Sequence, residues 1–160
     1  MEIIKPDYNF VYSIAQRDRF KSGALVEDWR ARYPNLFDSD DERLATSQPE
    51  GHFFEWLTAV MLFEATGYQS LVEYYVTKAH PQKVEIFADI VDPNIFKCVD
   101  ERQSGLPDLF VYSKATKDWF FCEVKGNRDI LRENQIERFK LLYEETGKVV
   151  RVASIQPLKP

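Results

Sequence analysis

Between Phe53 and Gly67 the apolar residues recur at helical spacing, whereas between Asp108 and Lys125 they run in short unbroken blocks. In the first stretch Phe53, Trp56, Leu57, Val60 and Met61 share a broad face with Glu64, the pattern of a core helix. Ser47 is a candidate N-cap, Pro49 suits the first turn, and Gly67 stops the pattern. Further helices are predicted over Ala24–Arg32, closed by Pro34, and over 70–79, "SLVEYYVTKA". The segment 83–101 fits both periods: Val84, Ile86, Ala88 and Ile90 alternate, while Val84, Phe87 and Val91 keep helical spacing. Asp92-Pro93 makes a good N-cap and N1 pair, so two successive helices are predicted there.

The later blocks read as strands. "DLFVYS" and "WFFCEVK" flank the polar turn "KATKD", giving an antiparallel hairpin. "GN" breaks the second strand, Asp129 can cap a helix running to Glu145, and Gly147 stops it. "KVVRVASI" is a final strand. A β-β-α-β order after a helical first half predicts an α/β domain with a mixed central sheet flanked by helices, and residues 1–46 as an N-terminal helical layer.

Composition changes this picture little. At 160 residues the chain is long enough for a core of its own, with 44% hydrophobic and 14% aromatic residues and no repeat or low-complexity tract. "MEIIKPDYNF" lacks the apolar region of a signal peptide, and no run approaches a membrane span. The expectation is a soluble intracellular protein, cytoplasmic or nucleoid-associated, or nuclear in a eukaryote. Cys98 and Cys122 form no disulfide framework; Cys122, among Phe120, Phe121 and Val124, reads as a buried thiol. With two histidines, His52 and His80, scattered from the cysteines, a zinc site is not expected. The net charge of −5 argues against general nucleic-acid coating. It leaves room for a metal-dependent nuclease, because carboxylates that hold a cation add to the count. The run Asp38, Asp40, Asp41 and Glu42 reads as a solvated loop.

Candidate chemistry lies in the hairpin. Glu123 and Lys125 are two apart on a strand and so project from one face, with Cys122 and Val124 on the other. Taken alone they could be a solvated charge pair. The "WFF" before them argues for a buried strand instead, where unpaired ions cost several kcal/mol each (roughly). Asp108 opens the neighbouring strand and can approach Glu123. Two carboxylates together repel unless a positive charge lies between them, a demand that Mg²⁺ or Mn²⁺ meets. Lys125 could then orient or deprotonate a water. Downstream, Leu131, Gln135, Phe139 and Leu142 form one helical stripe. Gln135 would be turned towards the sheet, either bonding backbone or contacting a water or phosphate.

"SGLPDLFVY" followed by "FFCEVKGNRDILRENQ" resembles the VRR-NUC branch of the PD-(D/E)xK nucleases, over roughly residues 47–155. The resemblance implies a restriction-endonuclease-like core and a divalent-metal-dependent deoxyribonuclease. It implies Asp108 and Glu123 as metal ligands with the Val124 carbonyl assisting, Lys125 as the catalytic lysine, and Gln135 as the helix glutamine. An upstream helical glutamate is also implied. Glu50, before Gly51 in "PEGHFFEWL", is the choice, with Glu55 and Glu64 as alternatives. Ser47-x-x-Glu50 can equally be a capping box.

The likeness to compact stand-alone members implies structure-selective cutting of four-way junctions, with a homodimer as the assembly considered; larger relatives act on flaps in DNA repair. Candidate phosphate contacts are Arg102, Arg128, Arg132 and Lys140, with Arg17, Arg19, Lys21, Arg30 and Arg32 as a second basic group. The competing readings are a catalytically weak DNA-binding or protein-interaction module, and a sequence-specific restriction or defence nuclease.

Overall fold

The computed structural model describes residues 5–38, 41–43, 45 and 52–159. In chain order the first elements are β1 (Tyr8–Tyr12), α1 (Ile14–Lys21), α2 (Ala24–Arg32) and α3 (Phe53–Thr66). Then come β2 (Gln69–Val72), α4 (Pro81–Ile90), α5 (Pro93–Arg102) and β3 (Leu109–Tyr112). β4 (Trp119–Gly126), α6 (Glu133–Thr146) and β5 (Arg151–Pro157) complete the order. The strands form one five-stranded sheet, β1-β5-β4-β3-β2, parallel across β1, β5 and β4 and antiparallel across β4, β3 and β2. This is the mixed, helix-flanked α/β sheet expected from the sequence.

Each sheet face carries its own core. Cys122, Val124, Leu109, Val111 and Ala153 pack against Phe20, Trp29, Phe53 and Leu57 of the first three helices. Phe110, Tyr112, Trp119 and Phe121 pack against Phe87, Val99 and Leu142 of the last three. The alternation along β4 follows from the pleat, and it sends Glu123 and Lys125 to the same face as Trp119 and Phe121. There the apolar filling stops and the charged pair takes its place.

Several elements match their sequence signals. α2 spans Ala24–Arg32 as predicted, α3 and α6 end at left-handed Gly67 and Gly147, and Asp92 caps α5 by accepting from Asn94 N at 2.8 Å. The proposed Ser47 cap and Pro49 first turn lie outside the described residues.

Three expectations need correction. The stretch 70–79 is not a helix: Gln69–Val72 is strand β2, paired antiparallel with β3 from Gln69↔Tyr112 to Val72↔Leu109. A non-local ladder wins over local helical spacing, because β3 would otherwise present an unpaired edge. Asp129 is not a helix cap, since α6 starts at Glu133 after Arg132, and the Asp129 carboxylate turns instead to Lys125 Nζ, 3.5 Å away. Asp41 is not solvated: it is buried and lies 2.6 Å from the ammonium of the buried Lys83. The N-terminal helical layer is present as α1 and α2, preceded by strand β1, which no sequence signal marked.

Candidate active site

The candidate site sits where β3 begins and β4 ends. Register Leu109↔Cys122 sets Asp108 opposite Glu123, and two bonds tie Asp108 to β4. Asp108 N donates to Glu123 Oε1 at 3.2 Å, and Val124 N donates to Asp108 Oδ2 at 2.8 Å. Lys125 Nζ lies 3.6 Å from Glu123 Oε2 and donates to Gln135 Oε1 at 3.1 Å. Gln135 in turn donates through Nε2 to Glu123 Oε2 at 2.9 Å and accepts from Arg132 N at 3.1 Å. Asp108, Glu123, Lys125 and Gln135 therefore form one hydrogen-bonded unit. The backbone reading of Gln135 is met by Arg132 N, and its amide oxygen serves that turn and the lysine together.

Negative charge is in excess here. Burial first, and the Asp108 charge next, push the Glu123 carboxyl up to about 9. Asp108 is raised as well, by burial, against the opposing effect of its bond with Glu123. Glu55, in the first turn of α3, is pushed up to about 7 by burial and by Asp108. Glu55 also belongs to a trio with His52 and Glu73 whose ligand atoms all lie within 4.8 Å of one another. Buried oxygen ligands that hold protons for want of a counter-charge fit a hard divalent cation, which would displace those protons.

Packing holds the site in shape. A Cβ at Gly126 would meet Phe54 Cδ2 at 2.4 Å, so the glycine after Lys125 lets the start of α3 lie directly on β4 and brings His52 and Glu55 to the site. Buried Tyr75 donates its hydroxyl to Pro107 O at 2.8 Å, fixing the residue before Asp108. Tyr12 donates to Asn127 Oδ1 at 2.7 Å and anchors the turn after β4. Glu73 N bonds Asp108 O at 2.9 Å, so β2 delivers Glu73 beside the aspartate.

The sequence candidates distribute unevenly around this unit. Glu50 lies outside the described residues. Glu55 reaches the cluster, whereas Glu64 is exposed near the far end of α3. Arg128 and Arg132 are exposed between β4 and α6, and Lys140 is exposed on α6. Arg102 pairs with Glu145 at 2.6 Å. In the second basic group, Arg19 pairs with Asp28, Arg30 pairs with Glu42 at 2.7 Å, and Arg17 lies over the Phe53 and Phe54 rings.

Residues 40–154 match the VRR-NUC domain family. The chain belongs to that family. Membership makes it a nuclease domain and puts the Asp108–Glu123–Lys125 unit inside the matched region. No curated protein matches the sequence. A similar solved structure is the crystal structure of paFAN1 bound to 5′-flap DNA with a 2-nucleotide flap and a gap, at 21% identity and a TM-score of 0.42. The alignment covers 89% of this chain and 26% of that one, so this chain spans about a quarter of its length.

Of the residues that sequence reasoning missed in this VRR-NUC domain, Glu73 and His52 matter most. Neither had a spacing signal. Both take left-handed backbone conformations, with φ of 52° and 64°, which only the folded chain reveals. No described helix is long and apolar enough to cross a membrane.

Proposed function

We propose that this VRR-NUC domain hydrolyses phosphodiester bonds in DNA with a divalent cation, Mg²⁺ or Mn²⁺. The single observation that carries the reading is the buried Asp108–Glu123 carboxyl pair bonded through Gln135 to Lys125. Asp108, Glu123 and the Val124 carbonyl would hold the cation. Glu55 is a candidate upstream ligand beside Glu50, because its carboxyl feels the Asp108 charge directly. His52 and Glu73 are in reach of the same ligand group.

When bound, the cation supplies positive charge where negative charge develops on the phosphoryl and leaving oxygens, and favours ionisation of a water. Lys125 Nζ, held by Gln135 Oε1, orients the attacking water and hydrogen-bonds the non-bridging oxygen. Gln135 fixes Glu123 Oε2 while Asp108 N donates to Oε1, so the carboxylate is oriented through both oxygens. The low exposure of this unit keeps each of these dipoles fixed through the reaction.

Branched DNA, either four-way junctions or flaps, is the proposed substrate class, and the proposed assembly is a homodimer. Support comes from its family membership. The test is incubation with linear duplex, flap, replication-fork and four-way-junction DNA in Mn²⁺, Mg²⁺ or EDTA, beside Lys125→Ala, with light scattering for the oligomeric state. Metal-dependent cutting that disappears in Lys125→Ala supports the reading. No cutting of any substrate removes it, and cutting that survives in Lys125→Ala places the chemistry elsewhere. Cleavage lost in Glu55→Gln but kept in Glu50→Gln assigns the upstream ligand.

A further inference from the structure

Beside the active-site unit lies a cavity of about 220 Å³ lined by Arg102, Ser104, Gly105, Leu106, Arg138 and Leu142. Its charge is of one sign, since two guanidinium groups line it and no carboxylate does. Two connections tie it to the active site. Arg138 follows Gln135 by three residues on α6, so both side chains lie on one helix face. Gly105 precedes Asp108 by three residues, a chain path of at most about 11 Å.

The two arginines differ in their state. Arg102 is held by Glu145, which accepts from Nε at 3.1 Å and from Nη2 at 2.6 Å. That carboxylate offsets its charge and fixes its plane. Arg138 has no carboxylate partner among the described residues. Its guanidinium lies against Gly105, where a Cβ would meet Nη1 at 2.9 Å and Cδ at 3.1 Å. The φ of 71° at that position favours a glycine, and the missing Cβ leaves room for the guanidinium.

We propose that this cavity holds a phosphodiester of the cut DNA strand, next to the scissile one, with Arg138 as its principal ligand and Arg102 as a fixed second donor. This rests on the nuclease reading above. Guanidinium donors match phosphate oxygens in geometry and charge. One free guanidinium beside one already neutralised leaves a single positive charge, which balances the single charge of a backbone phosphodiester rather than a free phosphate dianion. The site thus sets the register of the strand over Asp108 and Lys125, as phosphate contacts commonly do.

The test is fluorescence anisotropy with the best-cut branched duplex in EDTA, comparing wild type with Arg138→Gln, after thermal melts verify equal folding. Arg138→Gln should weaken binding about tenfold, and the slope of log K against log salt should fall by about 0.9. A single neutral methylphosphonate placed next to the cleaved bond should weaken wild type similarly and add nothing in Arg138→Gln. Unchanged affinity and salt slope in Arg138→Gln, in a wild type that binds and cuts DNA, overturns the site and leaves the nuclease intact. So does a methylphosphonate effect that adds in full to the variant. Inorganic phosphate titrated calorimetrically distinguishes the other source: binding lost in Arg138→Gln with DNA affinity unchanged assigns the cavity to free phosphate and overturns the proposal. A wild type that neither binds nor cuts DNA removes the inference together with the nuclease reading.

Discussion

Two buried lysines in this protein stand in opposite electrostatic settings. Lys83 Nζ lies 2.6 Å from Asp41 Oδ1 and donates to Val72 O at 2.6 Å, one cation against one anion, sealed under Trp56 and Tyr74. Lys125 Nζ lies 3.6 Å from Glu123 Oε2 and 3.5 Å from Asp129 Oδ2, with Asp108 and Glu55 close by. The first setting is balanced and ties α4 to the exit of β2, so it serves the fold. The second has more carboxylates than cations, and no fold-building purpose explains the excess. A surplus of buried charge of one sign, rather than burial of charge as such, distinguishes a site from a structural pair.

Exchanging the roles of the two lysines gives the largest expected effects. Lys125→Ala should lower cleavage by about a thousandfold while leaving the melting temperature close to wild type, read from gel kinetics and calorimetry on one preparation. Lys83→Met should do the reverse at the level of stability. It strands a buried carboxylate and should cost about 3–5 kcal/mol in denaturant titrations. Equal melting temperatures for wild type and Lys83→Met would mean the balanced pair contributes nothing to the fold.

Gly126→Ala tests whether the charged surplus depends on helix placement. Its Cβ would overlap the Phe54 ring, pushing α3 off β4 at a cost of about 1–3 kcal/mol. Metal-dependent activity should fall further than stability does, because His52 and Glu55 move with the helix. Activity that merely tracks the folded fraction would show that α3 brings nothing to the chemistry.

The last effect is in pH. In the metal-free protein Glu123 holds its proton up to about 9, against 4.5 for an ordinary glutamate. The folded state then binds more protons than the unfolded one between those values, so stability from this group falls as pH rises through that window. The melting temperature should drop between pH 6 and 9 in EDTA. A divalent cation replaces the proton, so Mn²⁺ should raise the melting temperature more at pH 8 than at pH 6. Glu123→Gln should flatten both trends; a slope unchanged by that substitution would assign it to other groups.

Strand periodicity and a short polar turn are local facts, so the hairpin, the one-face placement of Glu123 and Lys125, and the approach of Asp108 were legible in the chain. The sequence also marked Gln135, since an amide in an apolar stripe must find partners. The family's nuclease character was legible in "GLPDL" and "EVKG" for the same reason: those residues sit close together in the chain. Tertiary structure alone decided the rest. β1 and β2 exist because β5 and β3 need partners at their edges. Glu73 and His52 reach the site through left-handed turns, and Asp41 is buried because Lys83 comes to it from a helix forty-two residues away. Arg138 gained meaning only when Gly105 was brought beneath it. Pairings between distant segments carry no periodic signal of their own, so only the folded chain reveals them.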